Sequence, residues 1–213
     1  MSLNKSKSNS TIGSIILCGG HSQRMGQDKA LLRLGDQTFL QHISGILRPI
    51  CKPVVLVGRA DQQKLFSSEN EFVTDQVPDA GPLAGLVSGL DSVRQRADLA
   101  LVVACDTPLI QPGLVRFLVN CIGDSDAAIP WDGEHLYGLT AVYRTGAEDP
   151  LRKMLDRGQR RIQDIAQAIR IKKISLNEIR QADPNLDSLL GCNTPEEYQM
   201  LIRRNREINP MGS

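Results

Sequence analysis

Residues Ile15–Leu32 read IILCGGHSQRMGQDKALL. The first four, Ile15 to Cys18, are an unbroken apolar run, which predicts a short strand buried on both faces. The run breaks at Gly19-Gly20. A polar loop carrying Arg24, Gly26, Asp28 and Lys29 follows, and Ala30 to Leu32 is apolar again. In α/β proteins a buried strand that feeds a glycine-rich loop brings phosphate close to backbone N–H groups, because glycine has no Cβ to block the approach. Arg24 and Lys29 add positive charge. The stretch reads as a nucleoside triphosphate site at the edge of an open sheet. The loop is not a P-loop, because Met25 takes the place of the second glycine and Gln27 follows Gly26. The dinucleotide turn fails too, with His21 where G-x-G needs glycine.

Working outward, the chain alternates apolar strands with amphipathic segments. Phe39, Leu40, Ile43, Ile46 and Leu47 recur at helical spacing, with Asp36 or Thr38 as cap and Pro49 as stop. Val54–Val57 and Phe72–Val73 predict short strands, with a polar, partly helical stretch from Gly58 to Ser68 between them. The breaker cluster Pro78 to Pro82 leads into an apolar helix through Val93, and Gly81 to Gly85 reads as a turn. Leu99–Ala104 is the central strand, ending at Cys105-Asp106. Pro112 opens another helix, at the first-turn position proline favours. Asp126–Trp131 and Leu136–Tyr143 read as strands, Pro150–Leu155 and Ile162–Ile169 as short helices, and Ile171–Ile174 as a late strand. Thr194-Pro195-Glu196-Glu197 is a capping box for a last helix through Arg206. The alternation predicts an α/β fold with a mostly parallel central sheet and helices on both faces. Residues 1–11 read as a flexible arm, 12–206 as one domain and 207–213 as a tail.

Composition narrows the function. The chain of 213 residues is 41% hydrophobic with a net charge of +1, which gives no support to bulk binding of nucleic acid or membrane. Its longest apolar run, Leu99 to Cys105, falls far short of the ~18 residues of a membrane span. The five cysteines are scattered without a C-x-x-C, as expected of reduced thiols in a cytoplasm. Cys18 and Cys105 read as small buried residues rather than nucleophiles, and Trp131 and Tyr137 as packing residues. His21, His42 and His135 lack ligand spacing.

In open parallel sheets, ligands sit beyond the carboxyl ends of the strands, and the informative residues cluster there. Asp106 follows a buried strand directly, where a lone carboxylate needs compensation. It either caps the helix that follows or holds Mg²⁺, which one or two carboxylates plus substrate phosphates commonly bind. The glycine loop at a neighbouring strand end favours the metal. Asp75 is either a turn residue or a hydrogen-bond partner for a purine edge or a ribose hydroxyl. Arg24 and Lys29 are either surface cations or triphosphate ligands. Arg160-Arg161 is either a solvated helix start or a site for a second anionic substrate.

The segment LCGGHSQRMGQDKALL resembles the L-A-G-G-x-S-x-R-M-G-x-D-K-x-L-L signature of the molybdenum cofactor guanylyltransferases. VTDQVPDAGPLAGLVSGL, GQRRI, CDTPLI and CNTPEEY also resemble elements of that family, so the likeness spans roughly Ile12 to Tyr198. The resemblance implies a Rossmann-like nucleotidyltransferase fold with a GTP-binding N-terminal half and an acceptor side in the C-terminal part. The implied reaction joins GTP to a molybdopterin-type cofactor with Mg²⁺ and releases pyrophosphate. It further implies that Leu17, Cys18, Gly19 and Gly20 meet the nucleotide, that Lys29 and Asp75 bind GTP, and that Asp106 binds both GTP and Mg²⁺. Arg24, Lys29 and Asp106 are the expected catalytic residues. Asn193, with Arg160 and Arg161, falls on the acceptor side. A transient complex with molybdenum-insertion enzymes is implied as well. Three positions depart from the pattern: Cys18 stands for Ala, Val57 for an Asn in some members, and Tyr137-Gly138 for His-Pro or Gln-Pro. Val57 is therefore left out of the expected site. The rival readings are a same-fold transferase with another nucleotide or acceptor, such as a cytidylyl or sugar-phosphate enzyme, and a non-catalytic nucleotide-binding regulator.

Overall fold

The structure, a computed structural model of the chain, describes residues 10–19, 28–66, 70–75 and 81–209. The elements in chain order are β1 (Ile12–Leu17), β2 (Arg33–Leu34), β3 (Gln37–Thr38), α1 (Phe39–Leu47), β4 (Val54–Gly58), β5 (Glu71–Thr74), α2 (Pro82–Val93), β6 (Leu99–Ala104), α3 (Pro112–Cys121), β7 (Ala127–Trp131), β8 (Thr140–Arg144), α4 (Glu148–Asp156), β9 (Ile171–Ser175), α5 (Leu176–Ile179) and α6 (Pro195–Ile208). Seven strands form the main sheet in the order β5-β4-β1-β6-β8-β7-β9. β5, β4, β1 and β6 run parallel; β8 is antiparallel to both β6 and β7. β2 and β3 make a separate hairpin.

The period of two along each strand sorts its apolar side chains into two cores. Ile15, Leu17, Val55, Val57, Ala100 and Val102 pack on one face, under α2 and α4. Ile16, Leu56, Leu99, Leu101 and Val103 pack on the other, under α1 and α3. Strands covered on both sides need apolar residues at consecutive positions, which is why they read as unbroken runs. The mostly parallel sheet with helices on both faces is as expected. Among the described residues, no helix is long and apolar enough to cross a membrane.

Thr38 caps α1 and Thr194 caps α6, each in a full capping box. The Leu99–Ala104 strand and the helix opening at Pro112 are as expected, while several other boundaries move. Gly81 to Gly85 is not a turn: Gly81 is the N-cap of α2 at φ 80°, and Pro82 opens the helix. Leu136 to Leu139 is not strand. Only an isolated bridge between Leu136 and Trp131 precedes β8, which begins at Thr140. The Gln163 amide pins that stretch, accepting from the Leu136 N–H at 2.8 Å and donating to the Leu136 carbonyl at 2.9 Å. Residues Ile162–Gln167 form a 3-10 helix rather than an α-helix. A small third core, Leu32, Leu34, Phe39, Leu109, Cys192 and Leu201, seats α6 against the β2–β3 hairpin.

Candidate active site

The sheet order reverses at β1, whose neighbours β4 and β6 lead to opposite edges. Such a switch point leaves a crevice beyond the strand ends. A cavity of about 720 Å³ lies there, lined at β1 by Leu17, Cys18 and Gly19, at β4 by Val57, Gly58 and Arg59, at β5 by Thr74 and Asp75, and at β6 by Ala104, Cys105 and Asp106. Lys29 and the Gly81–Pro82 start of α2 close it. Leu17, Cys18, Gly19, Lys29, Asp75 and Asp106, all singled out from the sequence, thus share one cavity. Gly20 and Arg24 lie outside the described residues. Val57 does line the cavity, as an apolar wall.

Lys29 opens a short 3-10 helix, Lys29–Leu31, capped by the Asp28 carboxylate on the Ala30 N–H at 3.0 Å. From there the Lys29 ammonium reaches two partners. It donates to Asp106 Oδ2 at 2.9 Å and to Asn193 Oδ1 at 2.7 Å. Asn193 does not line this cavity, yet it holds a residue that does. The Asp106 backbone is fixed in turn by the C-terminal segment, since the Cys192 N–H donates to the Asp106 carbonyl at 2.9 Å. Asp106 therefore does not act as a helix cap: its carboxylate meets a lysine at the cavity wall, and Oδ1 has no hydrogen bond among the described residues. No group of three His, Cys, Asp or Glu side chains capable of holding a metal occurs among the described residues.

Asp75 continues β5, its N–H donating to the Gly58 carbonyl at 2.8 Å. Its carboxylate lies close to Gly85: a Cβ there would stand 3.8 Å from Asp75 Oδ2 and 3.3 Å from Leu17 Cδ2. The first turn of α2 is thereby kept flat beside an acceptor, a surface suited to a planar base with N–H groups on its edge.

Gln62 escaped the sequence reading. It lies in the 3-10 helix Ala60–Leu65 and is completely buried. Its Nε2 donates to the Cys18 carbonyl at 3.0 Å and to the Asp28 carboxylate, while Oε1 accepts from the Arg59 N–H at 2.8 Å. Arg59 and Asp61 were missed as well. They form an ion pair at 3.1 Å on the cavity wall, and that pairing holds the Asp61 carboxyl below its ordinary range.

A smaller recess of about 230 Å³ adjoins the first at Ala104, Asp106 and Leu139 and is also lined by Thr107, Leu136, Tyr137, Gly138, Thr140 and Ile162. Tyr137 is thus a wall residue rather than a packing residue. Gly138 is required by close approach, since a Cβ there would meet Ile162 Cγ1 at 2.8 Å. The Arg160 carbonyl lies 3.6 Å from where a Cβ on the cavity-lining Gly81 would stand. The Arg160 and Arg161 side chains are exposed and line neither recess.

The Cys105 thiol at the cavity wall is unsuited to nucleophilic chemistry. The neighbouring Cys18 thiol, followed by burial, raises Cys105 well above the ordinary thiol value. Burial pushes Cys192 up to about 11. All five cysteines are free.

Residues 14–172 match the family described as the MobA-like NTP transferase domain. A probable molybdenum cofactor guanylyltransferase of Chloroflexus aggregans is 35% identical over 193 residues, covering 88% of this chain and 91% of the relative. One from Methanothermobacter thermautotrophicus is 30% identical, covering 87% and 96%. Among solved structures, molybdopterin-guanine dinucleotide biosynthesis protein A from Archaeoglobus fulgidus superposes with a TM-score of 0.76 at 26% identity, over 92% of this chain and 97% of that one.

Proposed function

The chain belongs to the MobA-like NTP transferase family and is a nucleotidyltransferase, and on that premise we propose that it transfers GMP from GTP to a molybdopterin-type cofactor, releasing pyrophosphate. The observation that carries this reading is the meeting of Lys29, Asp106 and Asp75 in one cavity at four strand ends. In the reaction, a terminal phosphate oxygen of the acceptor attacks the α-phosphorus of GTP. The new P–O bond forms as the bond to the β-phosphate breaks, and pyrophosphate leaves. The nucleophile is already anionic, so the barrier lies in charge repulsion and alignment rather than in removing a proton. Lys29 places positive charge beside the phosphates. Arg24 and the Gly20 amide, outside the described residues, have the same task on the resemblance alone. Asp75 accepts from the guanine edge or a ribose hydroxyl.

The donor set fits Mg²⁺ bound by one carboxylate with substrate phosphates completing the shell, since Asp106 offers a free oxygen and no all-protein cage exists among the described residues. When bound there, the ion would neutralise and orient phosphate oxygens. The recess beside Asp106 is the acceptor side in this reading, and Asn193 bonds to Lys29, the partner of Asp106. Free thiols suit a cytoplasmic enzyme, and handover to a molybdenum-inserting protein belongs to the same reading.

The test is calorimetry of GTP, CTP and ATP with Mg²⁺ on the wild type and on Asp75→Ala. A preference for GTP that is lost in Asp75→Ala supports guanylyl transfer. A preference for CTP keeps the transferase chemistry and discards the guanine assignment.

A further inference from the structure

The β1–β4 ladder stops one bond short of where its register would carry it. The Cys18 N–H donates to the Val57 carbonyl at 2.7 Å, so the next bond of a parallel ladder would run from the Arg59 N–H to the Cys18 carbonyl. Instead, the Gln62 amide sits between those two groups: the Arg59 N–H donates to its Oε1, and its Nε2 donates to the Cys18 carbonyl. The second Nε2 hydrogen goes to the Asp28 carboxylate. Only this orientation of the amide gives all three groups a partner of the right kind. Gly58 makes room for it, since a Cβ at that position would lie 2.6 Å from Gln62 Oε1.

We propose that Gln62 is a positioning residue of the nucleotide site. Its side chain acts as a surrogate peptide group that ties the chain leaving β1, at Cys18, to the chain returning at Asp28. Asp28 caps the turn that begins with Lys29, so the amide governs where the lysine ammonium stands relative to Asp106. Gln62 touches neither reacting atoms nor substrate in this role. It fixes the distance between two strand ends and the register of the lysine. The kinetic consequence rests on the GTP reading above; the structural consequence does not.

The experiment compares the wild type with Gln62→Met, Gln62→Glu and a double variant that combines Gln62→Glu with Asp28→Asn. In Gln62→Glu the new carboxylate has neither of the two donated hydrogens and faces the Asp28 carboxylate. In the double variant, the asparagine introduced by Asp28→Asn still caps Ala30 through its oxygen. Its nitrogen donates to the introduced glutamate, restoring the 62–28 half of the link with reversed polarity, while the Cys18 carbonyl still lacks its donor, so recovery is partial. Hydrogen exchange is read on peptides covering 17–32 and, as controls, on β6 and β8. GTP kinetics are measured in parallel. In Gln62→Met, exchange should speed up roughly tenfold in 17–32 and not in the controls, and KM for GTP should rise roughly tenfold with a smaller change in kcat. Gln62→Glu should be worse, and the double variant should recover at least about threefold of its loss. Unchanged exchange in 17–32, an equal rise across the whole sheet, or no recovery in the double variant overturns the proposal. If Gln62→Met does not fold, the comparison of Gln62→Glu with the double variant decides. If the wild type fails to use GTP, the nucleotide reading falls, and exchange with its rescue still decides the role of Gln62.

Discussion

Lys29 and Asp106 stand 77 positions apart in the chain, yet the ammonium of one lies 2.9 Å from the carboxylate of the other. Each side chain remains partly open to the cavity, at 18% and 25% exposure. Neither is consumed as a structural ion pair, and both can turn to a ligand. Asn193 holds the lysine from a second side.

If the proposed function holds, replacing Lys29 by Ala removes a charge-assisted partner of the phosphates, of a kind worth about 1.5–3 kcal/mol. KM for GTP should therefore rise roughly tenfold or more, measured by steady-state kinetics with pyrophosphate release as the readout. Unchanged kinetics would take Lys29 out of the site.

Asp106→Ala should lower kcat by at least ~10²-fold, the scale of losing one key electrostatic element. Asp106→Asn separates two roles, since its amide oxygen can still accept from Lys29 while the negative charge is gone. An equally deep loss in the Asn variant, across a Mg²⁺ titration, marks the charge as the requirement. Near-normal turnover in it would leave Asp106 only a hydrogen-bonding part.

The close seat of α2 on β1 is testable without any substrate. A Cβ on Gly89 would stand 2.4 Å from Ile15 Cγ2, in the fully buried core. Gly89→Ala gains helix propensity but overpacks that contact, at a cost of about 1–3 kcal/mol. The melting temperature should fall by roughly 2–4 °C for each kcal/mol in a chain of this size. A melting temperature at or above that of the wild type would show that the helix can move off the strand freely.

The thiols set a pH dependence of a definite sign. Burial raises Cys51 from an ordinary 9.0 to about 12 and Cys192 to about 11. Between about 9 and these values the unfolded chain releases protons that the folded chain keeps. Stability should therefore be insensitive to these groups below pH 9 and decline as pH climbs above it. Urea midpoints at pH 8, 9 and 10 measure this, and Cys51→Ala/Cys192→Ala should flatten the decline. In native alkylation at pH 8, Cys121, the one cysteine that is not buried, should react first.

The strand ends were legible in the sequence because strands buried on both faces must be apolar throughout, so Cys18-Gly19, Thr74-Asp75 and Cys105-Asp106 stand out as sharp changes of chemistry. Gln62 was illegible for the opposite reason. Its segment, ADQQKL, has the composition of a solvated surface turn, and only the gap between two strands distant in sequence makes one of its two glutamines a buried one. Gly81 to Gly85 read as a turn because glycine and proline usually break helices. Here proline occupies the one helical position where its missing N–H costs nothing, and Gly85 faces Leu17 where a larger side chain would crowd the cavity. Leu136 to Leu139 read as the start of a strand because the stretch runs into the apolar residues of β8, but Gly138 packs closely on Ile162 and the stretch forms the wall of a recess.

The anchoring of Lys29 by Asn193, and of the Asp106 carbonyl by Cys192, has a consequence for the order in which the protein is made. Synthesis proceeds from the N-terminus, and the strands that bear Cys18, Asp75 and Asp106 leave the ribosome well before residue 193 does. While residues 192 and 193 are still unmade, the lysine lacks its Asn193 anchor and the loop after β6 its tether. The anchored Lys29–Asp106 arrangement is completed only when the segment that carries Cys192 and Asn193 has emerged and docked. A polypeptide stalled or cleaved ahead of Cys192 would therefore lack both anchors of the Lys29–Asp106 pair.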